Sequence, residues 1–162
     1  MKAEEWIQLG DEKQNPMDKF EDYWKAFNNL FSFYENNRTE KLKINDILNN
    51  CIDNADDLLE RFRADINYLI SMPVINMNRV SSRNASENID NFNHETAPLD
   101  KLKAVFMIIY QIRCNLIHGE KSPTRTRDTE LCDHAAGLVR EVSSIRLNQL
   151  REDSDSSEPN SP

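Results

Sequence analysis

The sequence predicts an all-α domain, and three observations carry that expectation. Apolar residues recur at helical spacing through four long segments, no segment alternates as a half-buried strand does, and only three of 162 residues are glycine. Pro16 opens the first helix, along which Phe20, Trp24, Phe27, Phe31 and Tyr34 alternate spacings of four and three. That spacing gathers five rings on one face, as burial in a core requires. A second helical region begins near Thr39 and carries its apolar pattern from Ile44 to Ile70, stopping at Met72-Pro73, where proline disfavours helix in the residue before it. It reads equally as one long helix or as two joined near Asp53-Asn54. Residues 73–97 lose the period and fill with Asn, Ser and charge, a connection longer than is usual inside a compact domain. Pro98 and Asp100 start a third helix on Leu99, Leu102, Val105, Phe106, Ile109, Ile112 and Leu116, with Gly119 as its stop. Leu131, Ala135, Leu138, Val142 and Ile145 mark a fourth, beginning after Thr126 or Asp128 and ending near Leu150. The expected organisation is a polar leader over residues 1–15, a helical domain over 16–150 and a disordered acidic tail over 151–162.

Composition narrows the function classes. So few glycines, with neither G-x-G-x-x-G nor G-x-x-x-x-G-K-[ST] present, argue against a Rossmann or P-loop enzyme. The stretch Ala104 to Tyr110 is too short to span a bilayer, which needs roughly 20 apolar residues, so no membrane association is expected. Acidic residues stand where a signal peptide needs a basic start and an apolar run, and Cys51, Cys114 and Cys132 form no C-x-x-C pair. Both features fit a cytoplasmic protein with reduced thiols. Asn84-Ala85-Ser86 matches a glycosylation sequon, read as chance in such a setting.

The net charge of −8 speaks against a protein that holds nucleic acid by bulk charge. The deficit is uneven, however. Residues 98–127 hold six basic residues against Asp100 and Glu120, a local +4 inside an acidic chain. That excess leaves room for a small basic cleft.

Chemistry concentrates in Gln111 to Pro123, QIRCNLIHGEKSP, where the third helix ends. Arg113 and His118 are five residues apart, about 140 degrees of arc on an ideal helix, and do not share a face there. At a helix end Gly119 frees the chain, and His118 can swing beside a polar strip carrying Arg113 and Asn115. Arginine supplies a permanent planar cation for phosphate, histidine exchanges a proton near neutrality, and asparagine can orient either. The same residues have a plainer use, since Arg and His near a helix C-terminus complement the macrodipole.

Arg113 and His118 fit the R-x4-6-H signature of the HEPN superfamily. IRCNLIHGEKSPTRTRD, together with YWKAFNNLFSFY on the first helix, resembles its Apea-like branch, in patches from about Phe20 to Leu138. The chain departs from that branch at Cys114, where Asn or Asp is frequent. The resemblance implies a HEPN-like bundle of four to five helices with a long connection before the motif helix. It also implies a metal-independent endoribonuclease without a cofactor, used as a toxin, in phage defence or in RNA processing. His118 would transfer the proton, Arg113 would hold the phosphate and Asn115 would orient one or the other. Lys121, Arg125 and Arg127 would contact RNA, two copies would form a composite cleft, and an antitoxin or other regulatory protein would restrain it. Other members are non-catalytic dimerisation or ligand-binding modules, which is the alternative reading.

Elsewhere the signals are weaker. Cys132-Asp133-His134 lacks the second pair of soft ligands that a zinc site needs. His94 falls in the Asn-rich connection, and Tyr23 or Trp24 would stack on a base only if left exposed.

Overall fold

In the computed structural model, residues 1–32, 38–75, 86–117 and 125–156 are described. They form eight helices and no strand: α1 Lys2–Glu12, α2 Pro16–Phe31, α3 Glu40–Cys51, α4 Ala55–Arg61, α5 Arg63–Ile70, α6 Glu87–His94, α7 Pro98–Ile117 and α8 Thr126–Ser156. The all-α class is as the periodicity predicts. The expected four to five helices become eight among the described residues, for three local reasons.

First, the stretch read as a polar leader is a helix. Ala3, Ile7 and Gly10 of α1 are buried against α2, and a Cβ on Gly10 would lie 2.5 Å from the Tyr23 ring, so only glycine lets the two helices approach this closely. Second, the region from Thr39 breaks twice. Ile52 is extended and Asn54 caps α4 by accepting from the Asp57 backbone N–H at 3.1 Å, which resolves the question at Asp53-Asn54 in favour of a break. Phe62 then leaves helical geometry between α4 and α5, and its ring sits 3.2 Å from where a Cβ on Gly137 would be. Third, the aperiodic connection contains α6, whose eight residues are too few to display a period. Lys101 tethers it, donating to the Phe92 carbonyl at 2.9 Å with its ammonium 4.6 Å from the Phe92 ring centroid.

At the C-terminal end α8 continues to Ser156, so residues 151–156 are helical where a disordered tail is expected. Each residue added to a helix already anchored by packing gains a backbone bond without a new nucleation cost. Arg151 also pairs with Glu4 at 2.6 Å, and the Ser154 and Ser156 hydroxyls donate to carbonyls four residues back.

The core forms where the aromatic face of α2 meets α7 and α8. Phe20, Phe27, Phe31, Phe106, Leu102, Ile109 and Ile112 are fully buried, and Phe27 contacts Phe31 and Phe106 with ring centroids 5.2 and 5.4 Å apart. Tyr34, the last member of the predicted stripe, lies outside the described residues. Pro16 stands at the first position of α2, as the sequence predicts, and Asn15 caps the helix by accepting from the Met17 and Asp18 amides. Among the described residues no helix is long and apolar enough to cross a membrane.

An ion pair locks α1 to α8. Arg140 grips Asp11 through Nε and Nη2 at 2.7 and 2.8 Å, while the Tyr23 hydroxyl donates to the same carboxylate at 2.6 Å. The hydrogen bond from Arg140 is the main reason the Asp11 carboxyl titrates below its ordinary value. Burial, then the Asp11 carboxylate, push the Tyr23 hydroxyl up to about 12. A depressed carboxyl contributes stability that is present above its unfolded pKa and is lost as pH falls through the folded value. Asp11→Asn is therefore expected to lower the urea midpoint at pH 7, with the gap from wild type narrowing below about pH 4. A gap that stayed constant down to pH 2 would show that the pair does not set the acid limb.

Candidate functional site

Arg113 lies in the penultimate turn of α7 and is mostly buried, with 21 % of its side chain exposed. Two elements seat it. Glu40, the first residue of α3 after the Thr39 cap, accepts from Nη1 at 3.2 Å and from Nη2 at 3.5 Å. On the other side the guanidinium carbon stands 5.9 Å from the Trp24 ring centroid. Glu40 also accepts from the Tyr110 hydroxyl at 3.0 Å, so one carboxylate ties together two donors one turn apart on α7. Burial first, then Cys114 and Glu40, push the Tyr110 hydroxyl up, so it stays protonated and keeps donating. The result is a cation held in a set orientation at the end of a helix, with Nε buried and lacking a hydrogen-bond partner among the described residues.

Asn115 does not join Arg113. Two residues apart means roughly 200 degrees around the helix, so the two side chains face away from each other. Asn115 is 2 % exposed; its Oδ1 accepts from Gln111 at 2.9 Å and its Nδ2 donates to the Ile75 carbonyl at 2.8 Å. Through the Ile75 carbonyl it anchors the chain leaving α5. Arg127 does the same from α8, donating to the Met72 carbonyl at 2.9 Å. Together they hold residues 72–75 against the motif end of α7.

Of the two described candidates for RNA contact Arg125 is the more open, with 59 % of its side chain exposed and a loose 3.9 Å approach to Asp128. Its carbonyl accepts from the Asp128 and Thr129 amides and so starts α8. His118 and Lys121 lie outside the described residues.

The remaining candidates resolve into packing. Tyr23 and Trp24 are 3 % and 4 % exposed, which removes both as open stacking platforms. His134 pairs with Asp65 at 2.8 Å and stacks on Tyr68 with centroids 4.2 Å apart, His94 contacts its own helix at the Asp90 carbonyl, and Cys51, Cys114 and Cys132 form no disulfide. No group of three or more His, Cys, Asp or Glu could hold a metal among the described residues.

Sequence reasoning missed Glu40 and Tyr110. Tyr110 carried a signal, since it stands three residues before Arg113 on one face. Glu40 carried none beyond an ordinary acidic first turn after Thr39, because its approach to Arg113 spans 73 residues of sequence. The chain matches no protein-family model, no curated protein and no solved structure.

Proposed function

We propose that the chain is a metal-independent endoribonuclease of the HEPN type that cleaves RNA by attack of a 2′-hydroxyl on the neighbouring phosphate. The observation that carries this reading is the seating of Arg113. A guanidinium fixed by Glu40 and Trp24, one turn before the position where the R-x4-6-H signature requires its histidine, suits a phosphate whose charge grows in the transition state. In the proposed reaction His118 takes the 2′-hydroxyl proton as that oxygen bonds to phosphorus. The bond to the 5′-oxygen breaks, the leaving oxygen gains a proton from water, and the products carry a cyclic phosphate and a 5′-hydroxyl. Arg113 stabilises the charge spread over the phosphate, and Arg125, with Lys121, draws the backbone in. Two copies facing each other would complete a composite cleft, and a toxin or defence role under a restraining partner belongs to the same reading.

One observation favours a second reading, a non-catalytic HEPN-like dimerisation or binding module. The Asn115 amide is engaged by Gln111 and Ile75, and Arg113 already has a carboxylate partner, so both serve the fold without any substrate. Total RNA incubated in EDTA with wild type and His118→Ala separates the two. Fragments ending in cyclic phosphate from wild type alone are expected; equal yields from both proteins, or none from either, would reject the enzyme.

A further inference from the structure

The geometry points to a nucleobase site beside Arg113: the groove between α2 and α7 takes one pyrimidine ring of a nucleotide whose phosphate reaches the guanidinium. The biological use of such a site rests on the ribonuclease reading, whereas the site itself rests on the groove.

The ring pairs Phe27–Phe106 and Trp24–Tyr110 show α2 and α7 running antiparallel, bridged by large side chains rather than by close backbone packing. Beyond Trp24, beside the Phe20 ring, a partly open groove of about 120 Å³ remains. Phe20, Trp24, Leu116 and Ile117 give it apolar walls; Asn28 and Arg113 supply polar groups, and the Glu21–Lys25 ion pair lines it as well. An apolar slot with a few placed polar groups is the usual character of a small-ligand site.

Three features assign the occupant. Size comes first: at about 120 Å³ the groove is smaller than the cavity of about 150 Å³ that encloses benzene, so it seats one six-membered ring only in part, through its open side, and leaves most of a fused purine outside. The second is Asn28, half-buried, whose side-chain amide has no hydrogen bond within the described protein. An amide offers a donor and an acceptor side by side, which complements the N3–O4 edge of uracil and, after a flip, the N3–N4 edge of cytosine. The third is a pair of orphaned donors on groove-lining side chains. Trp24 Nε1 and Arg113 Nε are both buried and lack a hydrogen-bond partner among the described residues. Buried donors are ordinarily satisfied, and because both nitrogens are shielded from solvent an acceptor on a bound ring would reach either one only through a shift of its side chain. The Lys25 ammonium supplies no competing anion site, because Glu21 and Asp22 neutralise it at 3.0 and 3.1 Å.

The test is calorimetric titration of the full chain with uridine, cytidine and adenosine 3′-monophosphates and with ribose 5-phosphate. Both pyrimidine nucleotides are expected to bind about tenfold or more tighter than ribose 5-phosphate and than the adenosine nucleotide. Asn28→Ala should erase most of that margin and Asn28→Asp should reduce it, with far-UV circular dichroism confirming that both variants fold. Equal binding of all four probes, a margin unchanged in Asn28→Ala, or no pyrimidine binding at about 1 mM would overturn the site. This readout needs no turnover, so it is separable from the cleavage assay. Base-selective, Asn28-dependent binding without any RNA cleavage would keep the groove and reject the ribonuclease, whereas His118-dependent cleavage with base-blind binding would do the reverse.

Discussion

Arg113→Lys should cut RNA cleavage by about 10²–10³-fold while leaving the helical content unchanged, the scale expected when a single transition-state donor is removed. Lysine keeps the charge, so a loss of this size would isolate the fork geometry rather than bulk electrostatics. The structure explains why the fork matters. Glu40 accepts from both terminal nitrogens of Arg113, and the flat guanidinium faces the Trp24 ring, so its orientation is set before a substrate arrives. An ammonium on a flexible stem satisfies Glu40 in many orientations and presents no fixed second donor. The loss should fall in kcat rather than KM, because the phosphate charge that Arg113 meets is largest in the transition state. Cleavage in Arg113→Lys equal to wild type would place the phosphate elsewhere, with Arg125 as the next residue to test.

Phe106→Ala should cost about 3–5 kcal/mol of stability, measured by urea denaturation at constant slope. Phe106 is 0 % exposed and meets Phe27 at 5.4 Å between centroids, at the contact that bridges α2 and α7. Losing the ring forfeits its transfer free energy and leaves a void that the surrounding helices, tied through α8, can close only in part. Set against a typical stability of about 5–15 kcal/mol, the variant would sit near the edge of folding at 37 °C. A cost under about 1 kcal/mol would mean that the α2–α7 contact is peripheral to the core. The same void would loosen the two walls of the groove beside Arg113, so pyrimidine selectivity should fall in any population of the variant that remains folded.

The helices with long stripes were legible because each stripe is a local record of burial. Phe20 to Phe31 on α2 and Leu102 to Ile112 on α7 repeat at helical spacing, and both faces are buried as read. The helices that escaped reading lack such a record. α1 has a polar sequence and earns its place through Ala3, Ile7 and Gly10, small or isolated residues whose packing depends on the Tyr23 ring across from them. α6 is eight residues long, and the last turn and a half of α8 carries no apolar residue at all.

The site divides in the same way. Arg113 could be singled out from its spacing to His118, since a motif is a property of neighbours along the chain. Asn115 was grouped with it because it is two positions away, and the helix turned that proximity into opposition. Glu40, which sets the orientation of Arg113, stands in another helix, and Asn28, which gives the groove its unpaired amide, sits on α2 among residues read only as core.

By itself, then, the sequence determined the all-α class, the helix starts at Pro16 and near Thr39, the aromatic core and the position of the cation near a helix end. Only the tertiary structure decided which carboxylate holds that cation, that Asn115 braces the fold, and that a small groove opens beside Trp24. Periodicity and capping arise from bonds and contacts within about four residues, which the chain order records directly. Pairing across helices depends on how those helices cross, and the crossing is set by the summed packing of side chains far apart in the chain.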